Sequence, residues 1–368
     1  MVVFKLDNAG DVVLSSLVMP AVAEALGGGR IYYVVKKGLG PLLSQVDCVS
    51  GVIEVPGGLG HCSRVGADER KGLNISRRII KKAMAELRPA LIIDLRPTAL
   101  GNYGALAARL YGARHRVTLD RIRLKENYGQ GRKMKWKRHE AETFCAALEE
   151  AGILKRHGDY RSTLTFWKRP VGAPLSGKRY FLIQPGAVWE YKKWPERSYA
   201  TLIDSLSALY PDLIFVLVGS GEESGVCSRV CEMTGRRARE RVVDLAGKTT
   251  FAELLCLVGN ADMVVANDSG VAHMAGAFGV RTVVFFGPSS PERFKPLSER
   301  QGNIKVFHHK LHCNPCDQHQ CIEGPASYCL TRITPAEVVE VIRSIMGEGE
   351  DLEKKDNQPA QEHIASNV

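Results

Sequence analysis

The sequence predicts an α/β protein with two domains, each built on a parallel sheet with crossover helices. Short apolar runs alternate with longer amphipathic stretches along nearly the whole chain, which is the pattern of successive β-α units. The chain has 368 residues, 45% of them apolar, which is enough for two domains that each bury a core. We therefore expect two sheets on either side of a cleft.

The two halves repeat the same order of elements. In the first half we predict strands at 2–6, 31–35, 52–55 and 91–95, and helices at 11–26 and 77–86. In the second half we predict strands at 180–184, 213–218, 242–245, 263–266 and 282–286, and helices at 199–209 and 251–258. A last helix is predicted from Thr334 through Ile345, because a cap residue, a proline and a capping-box glutamate open it.

Turn residues and composition set the predicted domain boundaries. Proline, glycine and serine crowd the segment 168–179, which is typical of a linker. We therefore place an N-terminal domain at 1–170 and a C-terminal domain at 171–346. The tail 347–368 is polar, and its apolar content is too low to order it.

The positive charge is concentrated in the first half. Residues 1–170 hold 29 Lys and Arg against 16 Asp and Glu, a net +13, whereas 171–368 has a net charge of −3. Within 109–138, eleven cations face two acids. This stretch is either a solvated surface or a site for a phosphorylated ligand, nucleic acid or an anionic membrane.

Ten cysteines occur in a chain that we expect to be cytoplasmic. No apolar run is long enough to span a membrane, and the N-terminus lacks the pattern of a secretory leader. Thiols or metal ligands are therefore expected rather than disulfides. Four cysteines lie close together and suit either a zinc site or a reduced structural cluster: Cys313, Cys316, Cys321 and Cys329.

The turn after the first strand is the first candidate site. Gly10 permits a tight turn, and Asp11 falls in the first turn of the following helix, where the helix dipole favours an ionised carboxylate. Asp11 is therefore either a helix cap or a base that acts in its ionised form.

Four turns of the second half suit a nucleoside diphosphate. Lys192 follows one predicted strand and can pair with phosphate, and Glu222 follows another, where it either holds a ribose or opens a helix. The segment 267–273 begins a helix whose free N–H groups attract an anion. The small-residue turn that contains Ser289 lies beside it. No P-loop or nucleophile elbow is present.

Taken in order, these motifs resemble glycosyltransferase family 9, the ADP-heptose:lipopolysaccharide heptosyltransferases. The resemblance covers residues 1 to about 345. It lies in the segments Lys5-Leu6-Asp7-Asn8-Ala9-Gly10-Asp11-Val12, Asp94, Lys137-Arg138-His139-Glu140-Ala141-Glu142, Lys192-Lys193-Trp194-Pro195, Asp244-Leu245-Ala246-Gly247-Lys248-Thr249, Asn267-Asp268-Ser269-Gly270-Val271-Ala272-His273 and Phe286-Gly287-Pro288-Ser289.

The resemblance implies a GT-B fold of two Rossmann-like domains, with the acceptor on the N-terminal side and the nucleotide sugar on the C-terminal side. It implies an inverting, metal-independent transfer in which Asp11 is the general base. The implied donor-binding residues are Lys192, Glu222, Asp268, Ser269, Gly270 and His273, with Ser289 beside them. Charge assigns the acceptor to Arg132, Lys133, Lys135 and Lys137.

The implied donor is ADP-heptose, and the implied acceptor is the Kdo-lipid A or heptosylated inner core of lipopolysaccharide. We expect peripheral contact with the cytoplasmic face of the inner membrane and no nucleic-acid partner. Two alternatives stay open. A sugar-nucleotide epimerase shares the architecture, and a non-catalytic module that binds anionic glycolipid or nucleic acid would also use the basic stretch.

Overall fold

The computed structural model describes residues 1–56, 67–95, 113, 115–118, 138–155, 159–314, 316, 321 and 327–356. The first sheet contains β1 (Val2–Phe4), β2 (Ile31–Lys36), β3 (Val49–Val55), β4 (Leu91–Asp94) and β5 (His115–Thr118), in the order β3-β2-β1-β4-β5. The second contains β6 (Tyr180–Gln184), β7 (Ile214–Leu217), β8 (Val242–Asp244), β9 (Met263–Asn267), β10 (Thr282–Phe285) and β11 (Ile304–Phe307), in the order β11-β10-β9-β6-β7-β8. All neighbouring strands are parallel. The predicted fold class is confirmed.

Helices connect the strands. The first half has α1 (Ala9–Ser16), α2 (Met19–Ala25), α3 (Gly40–Leu43), α4 (Ala67–Leu87) and α5 (Glu140–Glu150). The second half has α6 (Glu196–Leu209), α7 (Ser224–Met233), α8 (Arg236–Arg239), α9 (Phe251–Asn260), α10 (Gly270–Ala277), α11 (Pro291–Phe294), α12 (Tyr328–Thr331) and α13 (Pro335–Asp356). The central strands β1, β4, β6, β9 and β10 are buried along their whole length, as expected when helices cover both faces of a parallel sheet.

The two halves share one apolar core. A cluster that begins on one face of the first sheet continues through α1 and α10 to a face of the second sheet. Trp167, near the end of the first half, ties the two together: its backbone N–H donates to Ala277 O at 2.9 Å and its indole N–H to Ser16 Oγ at 3.2 Å. The division at residue 170 stays a prediction.

Some elements differ from their predicted extent. The predicted helix 11–26 is two helices, because Pro20 has no N–H to donate and starts α2 anew. Helix α13 continues to Asp356 rather than ending near Ile345, since Glu, Leu and Lys favour helix in that segment. The tail predicted to be disordered is 347–368; its first part, 347–356, is helical instead, and 357–368 lies outside the described residues.

Candidate active site

The candidate site lies where the strand order of each sheet reverses. In the first sheet β1 lies between β2 and β4, and in the second sheet β6 lies between β9 and β7. Ligands of open α/β sheets bind beyond the carboxyl ends of the strands at such a point. The loops that follow β1, β6, β9 and β10 are therefore the expected location of the chemistry.

Asp11 is held beside a buried lysine. The Lys5 side chain is fully buried, and its ammonium donates to Asp7 Oδ2 at 2.7 Å and to the Leu95 carbonyl at 2.9 Å. The same Nζ lies 3.9 Å from Asp11 Oδ1, while the Asp11 side chain is 28% exposed. The Phe144 ring packs against the Lys5 ammonium, with its centroid 4.8 Å from Nζ. Lys5 therefore places a buried positive charge beside the Asp11 carboxylate.

The surroundings of Asp11 shift the pKa of its carboxyl group. Burial raises this pKa above its usual value, the Lys5 ammonium lowers it, and the Asp7 carboxylate raises it. Glu140 further raises the pKa, and Arg293 lowers it. The dipole of α1 favours the ionised carboxylate, whereas burial acts in the opposite direction. A raised pKa makes the ionised carboxylate a stronger base.

Three of the predicted donor-binding residues lie together at the end of the second sheet. Asp268 Oδ2 accepts hydrogen bonds from Lys192 Nζ at 2.6 Å and from Ser289 Oγ at 2.5 Å. The Lys192 ammonium also lies 4.9 Å from the centroid of the Trp189 ring. The structure therefore brings one cation and one hydroxyl from two different loops onto the Asp268 carboxylate.

Ser269, Gly270 and His273 form the start of α10. Ser269 is the N-cap, but its hydroxyl bonds to Gln184 Oε1 and not to the helix. The Ser269 side chain therefore does not cap α10, and the N-terminal amides, at the positive end of the helix dipole, stay available to an anion. Burial lowers the pKa of His273 to about 4, so the imidazole is neutral at pH 7. Its Nδ1 is buried and has no hydrogen-bond partner within the described part of the chain.

The first-sheet loop and the second-sheet loop touch at Gly10. A Cβ atom added to Gly10 would lie 2.5 Å from His273 Cδ2, and one added to Gly270 would lie 2.9 Å from Ala9 Cβ. Only glycine permits this approach of α1 to α10. The structure therefore places Asp11 one residue from the contact with the α10 loop.

Glu222 is exposed in the turn Gly221–Glu223. Its neighbour Glu223 accepts from Ser220 N at 2.7 Å, and its side chain packs against Gly186, at the end of β6. Glu222 stays a predicted ribose-binding residue, because no described contact tests it.

Sequence reasoning missed the role of Asn267. Its Oδ1 accepts from Trp194 N at 2.9 Å and Tyr199 Oη at 3.0 Å, and its Nδ2 donates to the carbonyls of Pro185 and Gly186 at 2.9 and 3.1 Å. Asn267 is fully buried and joins the loops after β6 and β9. A polar residue at the end of an otherwise apolar strand was the signal for it.

The four clustered cysteines do not form a metal site among the described residues, and the alternative, a reduced structural cluster, stays open. None of the four cysteines is in a disulfide: Cys313, Cys316, Cys321 and Cys329. No group of three or more His, Cys, Asp or Glu among the described residues is arranged to hold a metal ion. Cys329 packs in a separate apolar cluster of the second half, with Leu330 and Ile333. Burial raises the pKa of its thiol, which disfavours the thiolate that a metal requires.

The predicted acceptor residues, by contrast, lie outside the described residues: Arg132, Lys133, Lys135 and Lys137. No structural finding bears on them, and their role stays a prediction. Among the helices that are described, none is both long and apolar enough to cross a membrane.

The protein has two parallel sheets whose loops touch. The loop of the first sheet carries a carboxylate, and the loops of the second carry a lysine and the amides of a helix start. This arrangement is that of the GT-B glycosyltransferases. A family model for glycosyltransferase family 9 (heptosyltransferase) matches residues 127–327. The chain belongs to this family.

Relatives and solved structures agree with this assignment. The chain is 25% identical to lipooligosaccharide heptosyltransferase 2 of Campylobacter jejuni over 237 residues, which is 62% of this chain and 72% of that protein. It is 31% identical to the Haemophilus influenzae enzyme of the same name over 164 residues, which is 44% of this chain and 46% of that protein. The fold matches Escherichia coli ADP-heptose lipopolysaccharide heptosyltransferase II with a TM-score of 0.71 at 20% identity, covering 95% of this chain and 99% of the other.

Proposed function

We propose that this enzyme transfers a heptose from ADP-heptose to the inner core of lipopolysaccharide, with inversion at the anomeric carbon. Family membership and the names of the relatives support the heptosyl transfer. The observation that carries the mechanism is the contact between Gly10 and His273. It sets a carboxylate from one half beside an anion-binding turn from the other.

The second half supplies the donor site. The Lys192 ammonium, the Ser289 hydroxyl and the free amides at the start of α10 converge on the end of β9. These groups suit the diphosphate of a nucleotide sugar and stabilise the negative charge that it gains as it leaves. His273 Nδ1 has no hydrogen-bond partner among the described residues, and it fits a hydrogen bond to the same ligand. The positive groups that the reaction needs are thus present in the chain itself, and no step runs through a metal.

The first half supplies the base. An acceptor hydroxyl attacks the anomeric carbon, the bond from that carbon to the diphosphate oxygen breaks, and the electron pair leaves with ADP. The hydroxyl proton passes to the Asp11 carboxylate. A positioned base of this kind contributes about 10²- to 10⁴-fold to the rate. One displacement inverts the configuration.

The basic stretch 109–138 completes the proposal on the acceptor side. Its net charge of +9 suits a phosphorylated or Kdo-bearing glycolipid at an anionic surface. We place the enzyme at the cytoplasmic face of the inner membrane, with acceptor binding at 1–170 and donor binding at 171–346. A nucleic-acid partner is not part of the proposal.

ADP release from ADP-heptose, measured with and without a heptose-deficient lipopolysaccharide, tests the function. We expect acceptor-dependent release of ADP and a heptosylated product. Isomerised nucleotide sugar in the absence of acceptor would instead identify an epimerase. Salt-dependent binding of nucleic acid in strong preference to lipopolysaccharide, without turnover, would identify a binding module.

Asp11→Asn tests the base. We expect the variant to lose at least about 100-fold in kcat and to bind ADP as the parent does, because the donor groups lie in the other half. Calorimetry with ADP and a thermal melt are the controls for folding. Near-parental activity in a folded variant would show that Asp11 is not the base and only contributes a charge in the first turn of α1.

A further inference from the structure

Two contacts join the start of α5 to the loop after β10, and they cross from the first half to the second. Arg293 Nε donates to Glu140 Oε2 at 3.0 Å, and the two side chains are 11% and 3% exposed. One residue earlier, His139 Nε2 lies 2.9 Å from the Lys295 carbonyl. We name these two contacts the α5 clasp.

The proton on His139 follows from its neighbours. Its Nδ1 accepts from Ala141 N at 3.2 Å, so the ring carries its proton on Nε2 and donates it to the Lys295 carbonyl, which can only accept. Burial lowers the pKa of His139 to about 4, which keeps this neutral form at pH 7. The neutral half of the α5 clasp therefore does not change between pH 6 and 9.

The same helix supports the general base. Glu140 and Phe144 are four residues apart on α5 and so lie on the same face. Phe144 packs under the Lys5 ammonium that lies 3.9 Å from Asp11. On the other side, Arg293 belongs to α11, which directly follows the Ser289 turn bonded to Asp268. A continuous set of contacts thus joins the base to the donor turn.

The geometry points to Glu140 and Arg293 as positioning residues: their buried pair fastens the donor turn to the helix that supports Lys5 and Asp11. This inference rests on the proposed function, since it assigns the pair to the base of that reaction. A buried pair adds little net stability compared with apolar side chains, although breaking one is costly. We infer that the Glu140–Arg293 pair instead aligns Asp11 in the first half with the donor turn in the second half.

The electrostatic arrangement gives the clasp a distinctive signature. The charged groups that act on Asp11 are Lys5 and Asp7 from its own loop, Glu140 from α5 and Arg293 from α11. The neutral His273 packs against the neighbouring Gly10. Glu140 and Arg293 act on the Asp11 carboxylate with opposite signs, so removing one or the other shifts its ionisation in opposite directions.

The test is the pH dependence of kcat/KM for E140Q, R293Q and the double variant. We expect the acidic limb to move down in pH for E140Q and up for R293Q, each by about 0.5 to 1 unit, and to return towards the parent in the double variant. Each single variant should lose about 10- to 100-fold in kcat through misalignment, with less change in the KM for ADP-heptose. If the pair is purely structural, the acidic limbs of E140Q and R293Q should move in the same direction or stay in place. That result would overturn the inference.

Two further variants keep the test decisive. R293K retains the charge, so its acidic limb should stay at the parental pH while kcat falls. This variant tests the inference if R293Q does not fold. The matched control is E196Q, which breaks the Glu196–Arg229 pair on the surface of the second half, joined at 2.7 Å. Its pH profile should equal that of the parent.

The failures can be told apart. If Asp11→Asn keeps its activity, the proposed base is wrong and the clasp inference falls with it. If Asp11→Asn is inactive but the limbs of E140Q and R293Q stay at the parental pH, only the clasp inference is overturned.

Discussion

At the residue scale, burial raises the pKa of Asp11 above its usual value of about 4, and Lys5 opposes this. In the proposed mechanism Asp11 accepts a proton only when it is ionised. Log kcat/KM should therefore rise with pH below the Asp11 pKa, with a slope of one, and level off above it.

Lys5→Met should raise the pKa of Asp11 further. The lysine lowers the Asp11 pKa, so its loss should move the acidic limb to higher pH and reduce activity at pH 6 more than at pH 8. Lys168→Met is the matched control, since Lys168 is 94% exposed in a surface pair. A limb that stays in place in Lys5→Met would show that the observed titration does not belong to Asp11.

Lys192 is the residue whose removal should affect the donor alone. Lys192→Ala should weaken ADP binding by about 1.5 to 3 kcal/mol, the value of a hydrogen bond to a charged group, or about 10- to 150-fold in Kd. AMP should lose less, because it lacks the distal phosphate. Calorimetry that gives equal ADP affinities for variant and parent would remove Lys192 from the site. The exposed Lys178→Ala serves as the control.

At the scale of elements, the close approach of α1 to α10 depends on the absence of a side chain at Gly10. In Gly10→Ala the new Cβ would meet His273, and both helices are packed in the shared core. Overpacking of this kind costs about 1 to 3 kcal/mol, and it displaces Asp11 and His273 together. We expect lower stability in urea unfolding and a larger loss of kcat than of ADP affinity.

Gly302→Ala is the control for this substitution, since nothing lies within 4 Å of the added Cβ. It should leave the unfolding free energy within about 0.5 kcal/mol of the parent. If Gly10→Ala behaves like Gly302→Ala, the two helices do not depend on this contact.

Elements were predictable from the sequence where the apolar pattern is strong. The central strands β1, β4, β6, β9 and β10 are apolar and buried, and each was predicted. Of the four edge strands, β3 and β8 were predicted and β5 and β11 were not. The two missed strands are short, and charged residues interrupt their apolar pattern: Arg116 in β5 and Lys305 in β11. The break between α1 and α2 follows from Pro20, which a helical period alone does not weigh.

Parts of the site were predictable for a related reason. Asp11, Lys192 and Asp268 follow strands, and the carboxyl end of a strand is a place fixed by local pattern. The pairing of Glu140 with Arg293 joins residues 153 apart in the chain, and nothing in their spacing predicts it. Spacing alone does not decide the role of the cysteine cluster, because four closely spaced cysteines suit either a metal site or a reduced structural cluster.

At the scale of the whole molecule, the two halves differ in charge, net +13 against −3, and this difference predicts a separation of ligands. Replacing four cations of the basic stretch with Gln should raise the acceptor KM and flatten its salt dependence, because screening acts over about 8 Å at physiological ionic strength, and should leave ADP affinity unchanged. The four positions are Arg132, Lys133, Lys135 and Lys137. The control replaces the exposed Arg236 and Arg237 of the second half and should change neither quantity. If the quadruple variant loses ADP affinity while its acceptor kinetics match the parent, the basic stretch serves the donor, and the division of ligands between the halves is wrong.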